Sequence, residues 1–362
     1  VTAVEQESHR APVAAHPARR ALVVRTPRDL LSFRVDRRTV VVCAALVLAL
    51  VATLIAALSL GSTTLRPAAV LEALFGETTR ATRTVVVDWR LPRAVLAIAF
   101  GAALGLSGAM FQSLTRNALG SPDVIGLNMG AYTGVLVVML LGGAGWAAVA
   151  TGSLVGGLAT ALLVYVFAFQ RGVQGFRLII VGIAFSAMLT SVNTWILVKV
   201  DVDLALRAAV WGAGTLNGVR WPQAWPPLAV MLVLCLVAVV VAPRMRQLEL
   251  GDDAAATHGL GLERSKVLLI VVGIAFTALV TATAGPIAFV ALAAPQAARR
   301  LTRADGTVGL VSTALVGALL LSLADVVAQH AIPGLPLPVG AVTVSIGGLY
   351  LLWLLAAETG RS

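Results

Sequence analysis

The side chains of this sequence that could do polar chemistry are few, and they cluster at the ends of apolar runs. In DWRLPR, residues 88–93, Arg90 and Arg93 flank a Leu-Pro step and lead straight into AVLAIAFGAALGLSGAMFQS. A guanidinium is a planar fork of donors that grips a carboxylate in two places. A pair of them at the mouth of an apolar helix can therefore anchor that end in a polar layer or meet an acidic partner. Pro92 suits a first helical turn under either reading. Asp325, within LSLADVVAQH, is the clearest ionisable residue at apolar depth. Such an acid is a functional candidate by default, but one so near the end of its run reads first as a hydrated group or a hydrogen-bond partner of a neighbouring helix. A third cluster, LELGDDAAATHGLGLERSK, sets Leu250, Gly251, Asp252 and Asp253 before an alanine-rich stretch that ends on Gly259, Leu260 and Gly261. That order predicts two short helices joined by a glycine turn.

Catalytic patterns are missing. No GxxxxGKS or GxxxxGKT occurs, and the two lysines, Lys199 and Lys266, are each followed by Val, so the chain carries no phosphate-cradling loop of its own. There is no HExxH, and His9, His16, His258 and His330 are too scattered for a ligand set. Cys43 and Cys235 lie inside apolar runs, which points to neither a disulfide framework nor a metal cluster. Enzyme activity, a resident metal and a cofactor are not expected.

The elements that must position the polar groups are apolar. Of 362 residues, 59% are hydrophobic and 12% charged, and several runs reach the ~18–20 residues a helix needs to cross a ~30 Å hydrocarbon layer. The fold class is an all-α polytopic membrane protein. Spans are predicted at 39–60, 92–113, 124–141, 146–169, 178–199, 223–242, 267–284, 286–298, 308–329 and 338–357. The eighth is too short for an ordinary crossing and starts at Gly285-Pro286, so a broken element surrounded by protein is expected there. Gly101/Gly105, Gly126/Gly130/Gly134 and Gly152/Gly156 repeat at a spacing of four, the pattern that lets helices pack backbone to backbone.

A net charge of +10 would suggest nucleic acid in a soluble domain, but here the basic residues fall between apolar runs, where they set orientation. No nucleic-acid partner is implied. With ten crossings and the N-terminus inside, inner segments hold 19 Lys and Arg against 8 outside, which supports N-in, C-in. Residues 61–93 are the exception, with five arginines on the outer face. Residues 1–38 carry eight Arg without an apolar core or cleavage site, and are read as a disordered cytoplasmic tail rather than a cleaved signal.

The runs RLPRAVLAIAFGAALGLSGAMFQSLTRNALGSPDVIGLNMGAYTGVL, FRLIIVGIAFSAML, WGAGTLNGVRW, MRQLELGDDAAATHGLGLERSK, GPIAFVALAAPQAARR and LPVGAVTVSIGGLYLLWLL resemble the permease family of ABC importers for iron–siderophore complexes and vitamin B12. The match spans about residues 39–358, and GSPDVIG, WGAGTLNGVRW and ELGDD look most like ferric enterobactin permeases. The resemblance implies a ten-helix type II importer permease in the bacterial cytoplasmic membrane. It implies a second, homologous permease subunit, a cytoplasmic ATPase dimer that supplies ATP and Mg, and an external binding protein that delivers ferric siderophore. It also assigns roles. Arg90 and Arg93 match the family's outer docking arginines, and residues 248–264, within a cytoplasmic segment 243–266, match the element that seats in the ATPase. The inner gate corresponds to the loop with Asn117 and Leu119 and to the loop with Gln174, Gly175 and Phe176.

The chain departs from that pattern in places. Pro295-Gln296 stands where Pro-His is usual, and Asn117-Ala118-Leu119 replaces Asn-Pro-Leu. Gln329 stands where vitamin B12 members tend to have Arg, which leans away from B12, although a B12 or haem permease is the nearest alternative. Val173-Gln174-Gly175-Phe176 lacks the small hydroxyl residues of B12-type relatives. An ion-coupled secondary transporter, the rival of another class, should show several acids at mid-membrane depth.

Overall fold

Apolar runs this long must satisfy their backbone internally, and here they do so as helices. The computed structural model describes residues 21–25 and 32–359, apart from 62, 77, 144, 170–174, 304–308 and 333. In chain order the helices are α1 Arg37–Ser59, α2 Pro67–Phe75, α3 Arg80–Arg83, α4 Leu91–Thr115, α5 Leu127–Leu140, α6 Trp146–Ala168, α7 Gly175–Lys199, α8 Val202–Gly212, α9 Trp221–Glu249, α10 Asp252–Thr257, α11 Leu262–Ala284, α12 Val290–Thr302, α13 Leu310–His330 and α14 Val339–Thr359. Among the described residues, seven stretches are long and apolar enough to cross a membrane: α1, residues 80–115 ending in α4, α6, most of α7, α9, α11 and α13. Shorter apolar helices occur at Leu127–Leu140 and Val339–Leu349. Leu48, Leu162, Trp195 and Val239 face outward from α1, α6, α7 and α9, as expected of helices solvated by lipid or by a further membrane subunit.

The centre of the bundle is α4, which packs on α13, α11, α12 and α9. Small residues allow the close approach. A Cβ on Gly101 would run into the Gly317 backbone of α13, and one on Gly108 into that of Ala291 on α12. Gly130 and Gly134 of α5 meet Gly156 and Gly152 of α6 in the same way. Gly126 does not belong to that ridge: with φ 83° it stands outside α5 as its left-handed N-cap.

Two crossings are broken. The eighth descends from Gly285 as non-helical chain through Ala288, and α12 begins only at Val290, after Phe289 at φ 70°. The third begins as chain that turns back from the inner end of α4 through a 3-10 turn at Pro122–Ile125, and only then becomes α5. Its 14 residues span about 21 Å at ~1.5 Å per residue, well short of a bilayer core. Ser121, Pro122 and Gly126 at the first break and Gly285 and Ile287 at the second are buried, as non-helical backbone at this depth requires.

Three segments differ in local structure from what the sequence suggests. Helix α9 continues through Pro243 to Glu249, with Met245 and Leu248 joining the main core, so the first part of segment 243–266 is helical. The rest holds one short helix, α10; the second predicted one is the first turn of α11. Within the tail, Ala21–Arg25 and Ser32–Asp36 pair as two antiparallel strands, and Asp36 caps α1 by accepting from the Arg38 amide at 3.3 Å. Residues 1–20 lie outside the described residues.

Candidate functional site

The outer site is built where α1, α4 and α13 end together. A π-helical turn at Thr84–Arg90 feeds straight into α4; such wide turns recur at functional sites because they rotate side chains out of ordinary register. Arg90 is turned into the protein. Its Nη1 donates to the carbonyls of Leu58 (2.7 Å) and Ser59 (3.3 Å), and its Nη2 to that of Thr63 (2.7 Å). Those first two oxygens belong to the last turn of α1, where carbonyls lack helical partners and a cation is favoured. Arg93 pairs with Asp325: Nε lies 3.0 Å from both carboxylate oxygens and Nη2 2.7 Å from Oδ1. Its Nη1 also donates to Asn217, and Gln329 Nε2 donates to Asp325 Oδ2 at 2.9 Å. The expected structural role of Asp325 is thus realised, with Arg93 as its partner.

Beside this pair opens a cavity of about 270 Å³ whose walls include Trp89, Arg90, Arg93, Arg220, Asp325 and Gln329. Arg220 is exposed and lies over the Trp89 ring, 5.9 Å from its centroid, within cation–π range. Three guanidiniums against the carboxylate of Asp325 leave the walls net positive. Sequence reasoning treated Arg220 only as an outer-loop charge; the signal available was its place within WGAGTLNGVRW beside two further tryptophans, which stack here as Trp221 and Trp225.

The inner site lies at the other end of α4. Arg116 leaves the helix in the left-handed conformation, φ 49°, and pairs with Asp252 at the start of α10. The second oxygen of Asp252 accepts from Lys266 Nζ of α11 at 2.8 Å. Hydrogen bonding from Lys266, then the charges of Lys266 and Arg116, hold the Asp252 carboxyl below its ordinary pKa despite some desolvation. Ser113 Oγ donates to Glu249 Oε1 at 2.6 Å, which ties α4 to the end of α9 as well. Leu250, Asp253, Thr257, His258, Gly259 and Gly261 are exposed around α10. Gly251 (φ 113°) and Gly259 (φ 78°) make the turns on either side, with Leu260 half-buried.

Of the residues expected at the gate, Asn117 and Leu119 form a tight turn: the Leu119 amide donates to Asn117 Oδ1 at 2.9 Å and the Gly120 amide to the Asn117 carbonyl at 3.0 Å. Gln296 Nε2 donates to the Ala118 carbonyl at 2.8 Å, so the amide that replaces the usual imidazole holds this turn. Gly175 opens α7, and Phe176 is 78% exposed. Gln174 lies outside the described residues.

Between the two ends, the broken third and eighth crossings meet. Asp123 accepts from Asn128 Nδ2 at 2.9 Å and from the Phe289 amide, and Asn128 Oδ1 accepts from Thr281 at 3.1 Å. Sequence reasoning passed over Asp123, although it is the one acidic residue between Asp88 and Asp201.

The FecCD transport family profile matches residues 48–357. The chain belongs to the FecCD transport family. FecCD relatives include the ferric enterobactin transport system permease protein FepG of Escherichia coli K12, 48% identical over 329 residues, which cover 90% of this chain and 99% of that one. The iron(3+)-hydroxamate import system permease protein FhuG of Bacillus subtilis is 31% identical over 326 residues, 88% of this chain and 97% of that one. A putative metal-chelate type ABC transporter in an inward-facing conformation superposes with a TM-score of 0.77 at 24% identity, over 87% of this chain and 99% of that one. The FecCD chain is therefore a multi-pass membrane protein with the type II importer permease fold.

Proposed function

We propose that this chain is the permease subunit of an ATP-driven importer that moves a ferric siderophore across the bacterial cytoplasmic membrane by alternating access. The observation that carries the reading is the 48% identity to a ferric enterobactin permease over nearly the whole of both chains. The geometry agrees with it. A positively charged rim at the outer end of α4 suits an acidic external binding protein, and the exposed, glycine-framed α10 at the inner end suits the groove of a cytoplasmic ATPase dimer. ATP and Mg belong to that dimer. A homologous, non-identical second permease completes the path, for which the exposed apolar flanks of this chain leave room.

In docking, Arg90 and Arg93 act as rim cations, joined by Arg220. A carboxylate from the binding protein reaches Arg220 first, since it is exposed, and engages Arg93 by sharing it with Asp325. Arg90 fixes the rim by holding α1 against the entry to α4. At the inner face, Leu250, Gly251, Asp252, Asp253, Gly259, Leu260 and Gly261 form the ATPase contact. Asn117, Leu119, Gln174, Gly175 and Phe176 form the gate.

The test is uptake by proteoliposomes holding the complete complex, supplied with binding protein and ATP. Ferric enterobactin accumulation that stops without ATP or binding protein is expected. Accumulation of vitamin B12 instead, or of ferric enterobactin without an ATPase, would overturn the reading.

A further inference from the structure

The inner ends of α4, α9, α11 and α12 converge on one short stretch of chain, and the way they are tied suggests a division of labour. Asp252 uses its two oxygens for two different elements: Oδ1 takes Arg116 from the end of α4, and Oδ2 takes Lys266 from α11 at 2.8 Å. Arg116 is also the residue from which the turn Asn117–Gly120 departs. Its left-handed backbone, φ 49°, is a conformation that a residue with a Cβ adopts only when its surroundings hold it. Beyond Arg116 the turn is closed on itself by the Asn117 side chain and is gripped from the far side by Gln296 of α12, which donates to the Ala118 carbonyl. Gln112, one turn back on α4, is fastened to the same helix, donating to the Leu292 carbonyl at 3.0 Å and accepting from Arg299 at 2.9 Å.

The turn thus has two handles, one on α12 and one on α10. The α12 handle consists of the neutral, exposed Gln296–Ala118 hydrogen bond, backed by the part-buried bonds of Gln112. The α10 handle is an ion pair whose side chains are 47% and 41% exposed for Arg116 and Asp252, on a six-residue helix that packs mainly against α9 and α11. An exposed pair contributes little to folding, because water and salt screen it and side-chain entropy opposes it. Its geometry, however, makes it a direct polar link between α10 and the residue from which the gate turn departs.

We propose that the Arg116–Asp252 pair is the joint that transmits movement of the ATPase-contacting segment to the inner gate turn at Asn117–Gly120, with Arg116 as a positioning residue for that turn. This rests on the reading of residues 248–264 as the ATPase contact. When α10 is displaced, Asp252 carries Arg116 with it and the turn rotates about its attachment to Gln296. Lys266 steadies Asp252 against α11 without reaching the turn.

The test uses the complete reconstituted importer and measures siderophore transported per ATP hydrolysed, with ferric enterobactin as probe, alongside co-purification of the ATPase. Arg116→Gln is expected to co-purify the ATPase and hydrolyse ATP at near the wild-type rate while transport per ATP falls at least tenfold. Arg116→Lys should recover most of it, as a merely structural role of the guanidinium would not require. The double variant Arg116→Gln/Asp252→Asn should transport no less per ATP than the worse of its two single variants, whereas Lys266→Gln should stay within about threefold of wild type, since Arg116 still holds Asp252. Wild-type transport per ATP in Arg116→Gln, or additive losses in the double variant, would overturn the joint. If the wild-type chain itself fails to recruit an ATPase, the reading of residues 248–264 fails instead.

Discussion

Replacing Arg93 by Met should loosen α13 from α4, and adding Asp325→Leu should restore stability without restoring docking. Asp325 is 2% exposed and Arg93 12%, so the pair lies largely out of water while the adjoining cavity admits some. Arg93→Met leaves a buried carboxylate with Gln329 as its remaining side-chain donor, at 2.9 Å. Stranding one member of a buried pair costs about 3–5 kcal/mol, and the nearby cavity places this case toward the lower figure, ~3 kcal/mol. Removing both charges in favour of apolar groups of similar volume is often neutral or stabilising, so R93M/D325L should return to within ~1 kcal/mol of wild type. Denaturant titration of the purified complex measures the stability, and binding-protein association at low and high salt measures docking. The double variant should be stable yet associate more slowly at low salt, because a rim cation acts mainly on the encounter. Wild-type stability of R93M would refute the structural role of the pair, and wild-type association of the double variant would refute docking through Arg93.

Arg220→Glu should slow binding-protein association and flatten its salt dependence while leaving thermal stability unchanged, as surface-plasmon kinetics across ionic strengths would report. Gly259→Val should lower ATPase co-purification, because φ 78° costs a residue with a Cβ about 1–2 kcal/mol although open space surrounds the position; Gly259→Asn should be milder. Gly134→Val should force α5 from α6 and cost about 1–3 kcal/mol in denaturant titration, through overpacking against the Gly152 carbonyl. For Asp252 the folded-state pKa is depressed by Lys266 and Arg116, so the stabilisation it gives is fully present above its ordinary value near ~4. It is lost as pH falls through the lower folded value. Attachment of α10, followed by hydrogen exchange, should therefore be flat from pH 5 to 8, and Asp252→Asn should remove the loss seen in acid.

The sequence made individual polar residues visible but not their partners. Arg93 and Asp325 each stood out as a charge at the edge of an apolar run, yet 232 positions separate them, and periodicity says nothing about which helix ends meet. The same holds for Asp252, whose partner Arg116 lies 136 positions away and did not stand out at all. Apolar length located the ten crossings and the break at Gly285-Pro286, because a run too short for the bilayer is a local property. It missed the break at the start of the third crossing: Val124-Ile125-Gly126 run on into the apolar stretch of α5, although Pro122 and the left-handed Gly126 mark a turn there. Where the apolar run ends, the helix does not: α9 continues through Pro243. An interior proline normally ends a helix by removing a donor and crowding the preceding turn, but burial of Met245 and Leu248 in the main core offsets that loss.

Helix α4 connects the two candidate sites physically. Its 25 residues run about 37 Å at ~1.5 Å per residue, with Arg93 near the outer end tied to α13 and Arg116 at the inner end tied to α10. Between them its helix faces are locked by backbone-close contacts at Gly101, Gly105 and Gly108. At such contacts there are no long side chains to rearrange, so displacement at one end is passed on rather than absorbed. Its flexible points lie outside this stretch: the π-helical turn before Leu91 and the left-handed exit at Arg116. A binding protein acting on the rim and an ATPase acting on α10 would therefore work on opposite ends of one stiff element. Coupling between them is a free energy shared by both sites, so it must run in both directions. Docking outside should change the ATPase's affinity for the inner face by the same factor as ATPase attachment changes docking, and Arg116→Gln should reduce both factors together.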